Sequence, residues 1–218
     1  MDDIVIRVEG VYKRFGTDTV LKDVSRSFER GRIHGIVGNN GSGKTVLMKC
    51  ICGFLIPDGG SITVNGERVG VDVDFPPDLG LIIETPGFLP NMTGVKNLEI
   101  LASLNKKIGL REIAASMRAV SLDPSMNKPV GKYSLGMRQR LGIAQAIMEN
   151  PSLLILDEPL NGLDKHGVRE MRQLIKGLKE QGKTILLASH NQGDIDELCD
   201  TVCEMDNGIM TAIRGYEE

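Results

Sequence analysis

The sequence predicts an α/β fold: a core with a mostly parallel sheet, a small antiparallel β subdomain beside it, and an inserted α-helical subdomain. Three observations predict this. Short apolar runs alternate with helical patterns over much of the 218 residues, as expected of parallel strands joined by crossover helices. The first 30 residues instead read as consecutive strands, and residues 95–148 read mainly as helices. The length suits one core with a lobe inserted into it. The whole chain, 1–218, is therefore read as one domain. Its core and β parts fall at about 1–84 and 150–218, and its helical part at about 86–148.

Each element has a local reason. DIVIRVEGVYKRF and VLKDVSRSF are strand-like and are separated by a polar turn at Gly16–Thr19. Residues 61–75 read as strand, turn, strand, with Asn65–Gly66 as the turn signal. Residues 33–37 form a short apolar strand that Gly38 to Gly43 break. The helix after it carries Val46, Leu47, Cys50, Ile51 and Phe54 on one stripe, with Gly53 as its stop. Leu98, Leu101, Leu104 and Ile108 mark a second helix, and Ile113 and Met117 a third. A further helix runs from Ser134 to Met148, and Pro151 closes that region. LLILD at 153–157 is a buried strand, followed by a helix near 166–181 and the strand TILLAS.

Composition excludes several classes. Hydrophobic residues make up 41%, which argues against a disordered chain. A net charge of −3 gives no basic footprint for nucleic acid. MDDIVIRVEG lacks the basic and apolar regions of a secretory signal. The most apolar stretches, LLIL and TILLA, fall short of the roughly 20 residues of a membrane helix, so membrane work requires another chain to do the spanning. Cys50, Cys52, Cys199 and Cys203 are expected as reduced, half-buried thiols, with Cys199 and Cys203 able to face one another on a helix. No histidine close in sequence completes a zinc set.

The strongest chemical signal is GNNGSGKT at 38–45, a full match to GxxxxGK[ST] with a strand before it and a helix after it. Gly38, Asn39, Asn40, Gly41, Ser42 and Gly43 let backbone N–H groups turn inward around phosphate oxygens, and the helix N-terminus adds its positive end. Lys44 is suited to the β- and γ-phosphates, and the Thr45 hydroxyl to magnesium. The second signal is LLILDEP at 153–159, which delivers two adjacent carboxylates at the end of an apolar strand. Asp157 suits the magnesium shell. Glu158 suits the polarisation of a water for attack on the γ-phosphate. Ser134 caps a long helix whose dipole can face an anion.

GNNGSGKT, YSLGMRQR, LLILDEP, NGLD and ASH, in this order and spacing, resemble the ATP-binding domain of ABC transporters over nearly the whole chain. The resemblance implies a P-loop NTPase core of the RecA-like kind, with ATP and Mg2+ as its ligands. It implies that Phe15 stacks on adenine, and that Ser134 and Gly136 belong to a signature segment facing the ATP of a second subunit. In that segment Leu135 and Met137 depart from the common LSGGQ form. It implies that Asp164 lies on a loop crossing the dimer interface and that His190 contacts the γ-phosphate. Most family members carry glutamine where this chain has Glu84, at a position that touches magnesium and the attacking water. Glutamine can donate a hydrogen bond, whereas an ionised carboxylate only accepts. The segment around Glu84, together with YSLGMRQRLGIAQAIM, is similar to the subgroup that exports bacitracin, lantibiotics or related peptides.

The resemblance further implies a transmembrane permease on separate chains and a second ATPase subunit, identical or paralogous, joining in the ATP-bound state. The expected place is the cytoplasmic face of the cell membrane, held there through the permease. A soluble, non-transport ABC ATPase acting as a mechanical or assembly factor is the alternative. A P-loop kinase is a third class, against which the signature and switch segments argue.

Overall fold

The structure is a computed structural model that describes residues 3–84 and 87–216. β1 (Ile4–Phe15) and β2 (Asp18–Glu29) form an antiparallel hairpin that turns at Gly16 and Thr17, inside the expected turn. β3 (Ile33–Val37) runs buried into the glycine-rich loop and α1 (Lys44–Ile51). β4 (Gly59–Val64) returns to pair with β1, and β5 (Glu67–Arg68) pairs with β4 across Asn65 and Gly66. The expected second strand of that pair stops at Arg68. There the Asp72 carboxylate accepts the Arg68 N–H at 2.8 Å and Gly70 takes φ 78°, so the chain curls rather than extends. The result is a four-stranded antiparallel sheet in the order β2-β1-β4-β5.

The chain then enters the second sheet through β6 (Leu79–Ile82) and leaves it for a run of helices. These are α2 (Gly94–Asn105), α3 (Leu110–Ala119), a 3₁₀ turn (Val130–Lys132) and α4 (Leu135–Ile147). Leu98 is buried but Leu104 is 75% exposed. Each step of three residues falls about 60° short of a turn, so the apolar stripe has rotated away by Leu104. β7 (Leu153–Asp157), α5 (Lys165–Glu180) and β8 (Thr184–Ala188) lie where the sequence predicts them, within a residue or two. α6 (Gln192–Leu198), β9 (Thr201–Asp206) and β10 (Ile209–Arg214) complete the chain.

The second sheet has six strands in the order β10-β9-β3-β8-β7-β6. β9, β3, β8, β7 and β6 are parallel, and β10 is an antiparallel edge. Both faces are covered, so its central strands are apolar throughout rather than alternating. Leu153 and Ile155 of β7 point into the core shared with α1 and the antiparallel sheet, while Leu154 and Leu156 point to the opposite core with α4 and α5. α5 buries Met171, Ile175 and Leu178 at helical spacing. α4 lies close against β6 because Gly80 has no side chain: a Cβ there would stand 2.0 Å from the Ala146 carbonyl oxygen.

The cysteines differ from expectation. Cys199 ends α6 while Cys203 lies on β9, so the two do not share a helix. All four are buried, free thiols rather than half-buried ones. Burial pushes the pKa of Cys50 up to about 11 and those of Cys52 and Cys199 up to about 12. His34 is structural: it is buried, with ring nitrogens 2.7 Å from the Thr201 hydroxyl and 2.8 Å from the Glu29 carbonyl oxygen.

Candidate functional site

Most of the predicted site residues gather at the C-terminal ends of the parallel strands, where open α/β sheets bind ligands. β3 feeds the loop that leads into α1. Glu84 follows β6, Asp157 ends β7 with Glu158 next to it, and His190 follows β8. An open cavity of about 550 Å³ lies over these ends. Phe15 and Val20 form part of its wall, loop residues Asn40 to Thr45 its floor, and Glu84, Asp157 and Glu158 its acidic side.

The loop is built for close approach. Gly38 takes φ 147°, and a Cβ there would stand 2.2 Å from the Met205 carbonyl oxygen, so the chain can pass under β9 only as glycine. The Asn39 carbonyl accepts the Ser42 N–H at 3.1 Å. Lys44 is buried, and its ammonium donates to the carbonyls of Gly38 at 2.6 Å and Asn39 at 3.0 Å. Ser42 Oγ is buried with no hydrogen-bond partner. A buried hydroxyl without a partner is costly unless a ligand satisfies it, which fits a loop made for phosphate oxygens.

The Thr45 hydroxyl donates to Asp157 Oδ2 at 2.6 Å, joining the first turn of α1 to the end of β7. Burial holds the Asp157 carboxyl above its ordinary pKa. Thr45 opposes that shift, while the charges of Glu158 and Glu84 add to it. This crowding of hard oxygens around a half-relieved negative charge fits Mg2+, which takes one or two carboxylates and keeps the rest of its shell for phosphate and water. Among the described residues no group of three or more His, Cys, Asp or Glu is placed to hold a metal ion by itself.

Glu158 and Glu84 share an unusual backbone. Both are left-handed, at φ 50° and 58°. Such residues cost roughly 1–2 kcal/mol and concentrate at functional sites. Glu158 Oε1 accepts two hydrogen bonds from His190, one from its N–H at 3.0 Å and one involving Nδ1 at 2.8 Å. Glu84 Oε1 accepts from Lys49 Nζ at 2.6 Å, so its charge is paired with a lysine one turn along α1 from Thr45.

Phe15 stands at the end of β1, 47% exposed, with the Lys13 ammonium 5.6 Å from its ring centroid. Ser134, Gly136 and Asp164 do not join Lys44 in this cavity. They line a separate hollow of about 360 Å³, and Leu135 borders both. Ser134 caps α4, its hydroxyl accepting the Met137 N–H at 3.2 Å. Asp164 caps α5, accepting the Gly167 N–H at 2.7 Å. Sequence reading missed Val20, Gln139 and Asn161 in the first cavity, and Lys49 beside it. Gln139 donates to the Glu158 carbonyl at 3.2 Å and lies inside the YSLGMRQR segment, a signal that could have found it. Lys49 and Val20 carry no sequence signal of their own.

A glycine-rich phosphate loop, a strand-end carboxylate and a bracing hydroxyl on one parallel sheet define a P-loop nucleotide-binding fold. A family model described as ABC transporter matches residues 21–161, and the chain belongs to that family. It is 42% identical to an uncharacterised ABC transporter ATP-binding protein, YybJ, of Bacillus subtilis, over 94% of each chain. It is 39% identical to the bacitracin transport ATP-binding protein BcrA of Enterococcus faecalis, over 94% of this chain and 68% of that one. The fold is that of the ATP-binding cassette MJ0796, solved as a dimer in a post-hydrolysis state with ADP and Pi. The TM-score is 0.87 at 20% identity, over 98% of this chain and all of that one.

Proposed function

We propose that this chain binds and hydrolyses Mg-ATP as the nucleotide-binding subunit of an ABC exporter of an antimicrobial peptide or related compound. The observation that carries the chemistry is the convergence of Lys44, the Thr45–Asp157 pair and the Glu158–His190 pair at adjacent strand ends. Phe15 offers its exposed ring to adenine. The N–H groups of residues 38–45 and the Lys44 ammonium hold the phosphates, a task of positioning and electrostatics. Thr45, Asp157 and Glu84 are the residues that would hold Mg2+, which would supply positive charge against the phosphate oxygens. Glu158 accepts the proton of the attacking water, and His190 fixes the carboxylate through two hydrogen bonds and stands ready for the γ-phosphate.

Ser134, Gly136 and Asp164 line a hollow separate from the one at the chain's own phosphate loop, which supports a second subunit whose ATP they complete. The dimeric state of MJ0796 supports the same reading. On this reading a transmembrane permease on separate chains holds this one at the cytoplasmic face of the membrane; no described helix of this chain is long and apolar enough to cross it. Likeness to BcrA supports export of a peptide antibiotic. The test is co-purification of membrane proteins from the native membrane with this chain, followed by phosphate release from Mg-ATP with and without peptide antibiotics. Stimulated hydrolysis in the complex is expected. Hydrolysis by an isolated chain that captures no membrane protein would replace the exporter with a soluble mechanical ATPase.

A further inference from the structure

His190 meets Glu158, yet its side chain is 57% exposed and it stands in the short loop between β8 and α6. The residues on either side of it are held. The Ser189 hydroxyl accepts the Asn191 N–H at 3.1 Å and donates to Asp194 Oδ2 at 3.4 Å. Asp194 is 3% exposed, in the first turn of α6, and its own N–H is accepted by the Asn191 carbonyl at 3.1 Å. Its Oδ1 accepts from two nitrogens of Arg172 on α5, Nε at 2.9 Å and Nη2 at 2.5 Å. Arg172 also pairs with Glu197, which Lys176 meets at 3.0 Å. A buried carboxylate is tolerated only when paired and hydrogen-bonded, and here Arg172 meets one oxygen and the Ser189 hydroxyl the other.

We propose that Arg172 and Asp194 are positioning residues for His190, acting through the Ser189 hydroxyl on the two peptide units that flank it. The proposal rests on the reading of Glu158 and His190 given above. The chain of contacts runs from the solvent side of α5, through one buried carboxylate, to the backbone on both sides of the histidine. A pair that merely stapled α6 to α5 would need neither the Ser189 hydroxyl nor its bond to Asn191. Here Asp194 uses one oxygen for the staple and the other for the histidine loop.

The test is a mutant cycle in the full chain, assembled with its permease. Ser189→Ala, Asp194→Asn and Arg172→Met are each made alone and with His190→Ala. Phosphate release gives kcat and the KM for ATP, and thermal melting gives Tm. Hydrogen exchange follows the His190 N–H that Glu158 accepts. Each single variant is expected to lower kcat about tenfold, the effect of roughly 1.4 kcal/mol lost at the transition state, with KM unchanged. It should also speed exchange at His190 and add no further loss to His190→Ala. Arg172→Lys should recover part of the activity. Should Asp194→Asn fail to fold, Ser189→Ala, which removes one hydroxyl, carries the test. Losses that persist undiminished beside His190→Ala, or a lower Tm with kcat intact, would overturn the proposal. Normal turnover in His190→Ala alone would instead remove His190 from the proposed mechanism.

Discussion

Glu158→Gln separates chemistry from architecture, because the structure says which interactions survive it. Oε1 takes both hydrogen bonds from His190, and an amide oxygen in the same place can accept both. The backbone bond from the Glu158 N–H to the Ala188 carbonyl at 2.9 Å is untouched. The left-handed φ of 50° costs glutamine what it costs glutamate. Stability should therefore change only by weakening of a charge-assisted bond. At about 0.5 kcal/mol that is a Tm shift of about 1–2 °C for a chain of this size. The lost proton acceptor should slow phosphate release by roughly 10²–10⁴, or about 3–5 kcal/mol on the barrier. Nucleotide affinity should hold, since Lys44 and the loop are unaltered. The assays are single-turnover phosphate release, binding of a fluorescent ATP analogue and thermal melting, all on one preparation. Turnover within threefold of the parent would refute the role of Glu158. Loss of binding or a large fall in Tm would refute the separation itself.

Three further outcomes follow from the same geometry. Asp157→Asn should raise Tm in the absence of Mg2+ and nucleotide. The carboxyl's folded pKa is raised, so its stabilising share is present below the unfolded value near 3.9 and lost as pH rises through the folded value. The advantage of the variant should thus grow as pH rises above the unfolded value, and an advantage that stays constant with pH would contradict it. Glu84→Gln breaks an exposed pair with Lys49 worth about 0–1 kcal/mol, so Tm should barely move while the Mg2+ dependence of hydrolysis shifts; an unchanged Mg2+ titration would leave Glu84 out of the ion's shell. Thiols with pKa values of about 11–12 are almost wholly protonated at pH 8, so iodoacetamide should label Cys50, Cys52 and Cys199 only after unfolding.

The parts of the site legible in the sequence are those whose chemistry is local. GNNGSGKT was readable because a chain can wrap phosphate only with glycines at fixed steps, and Gly38 beneath β9 shows the constraint directly. LLILDE was readable because a strand buried on both faces has no other use for acids at its end. What escaped depends on partners far along the chain. Lys49 meets Glu84 across 35 residues, and Arg172 meets Asp194 across 22. α6 buries Asp194 beside Ile195 and Leu198, so its inner face includes a charge that Arg172 and the Ser189 hydroxyl make tolerable, and no apolar stripe announces it. VGVDVDF misled in the opposite sense. Its alternation is strand-like, but the Asp72 carboxylate folds back on the Arg68 N–H.

Glu84 and Glu158 resolve a geometric difficulty of strand-end sites. A residue continuing a parallel strand points its side chain above or below the sheet, into one of the two cores. An acid there is buried, as Asp157 is, and needs a donor such as the Thr45 hydroxyl. The left-handed turn at each glutamate redirects the chain as the strand ends, and the carboxylates border the cavity over the sheet's edge instead. Each is then met by a cation or donor from a different element, Lys49 of α1 or His190 after β8. Glu158 is tied further, through its carbonyl, to Gln139 of α4, the helix whose capping residue Ser134 lines the other hollow. Leu135, the first residue of that helix, borders both hollows, so α4 touches the two of them at its N-terminus and Glu158 through Gln139.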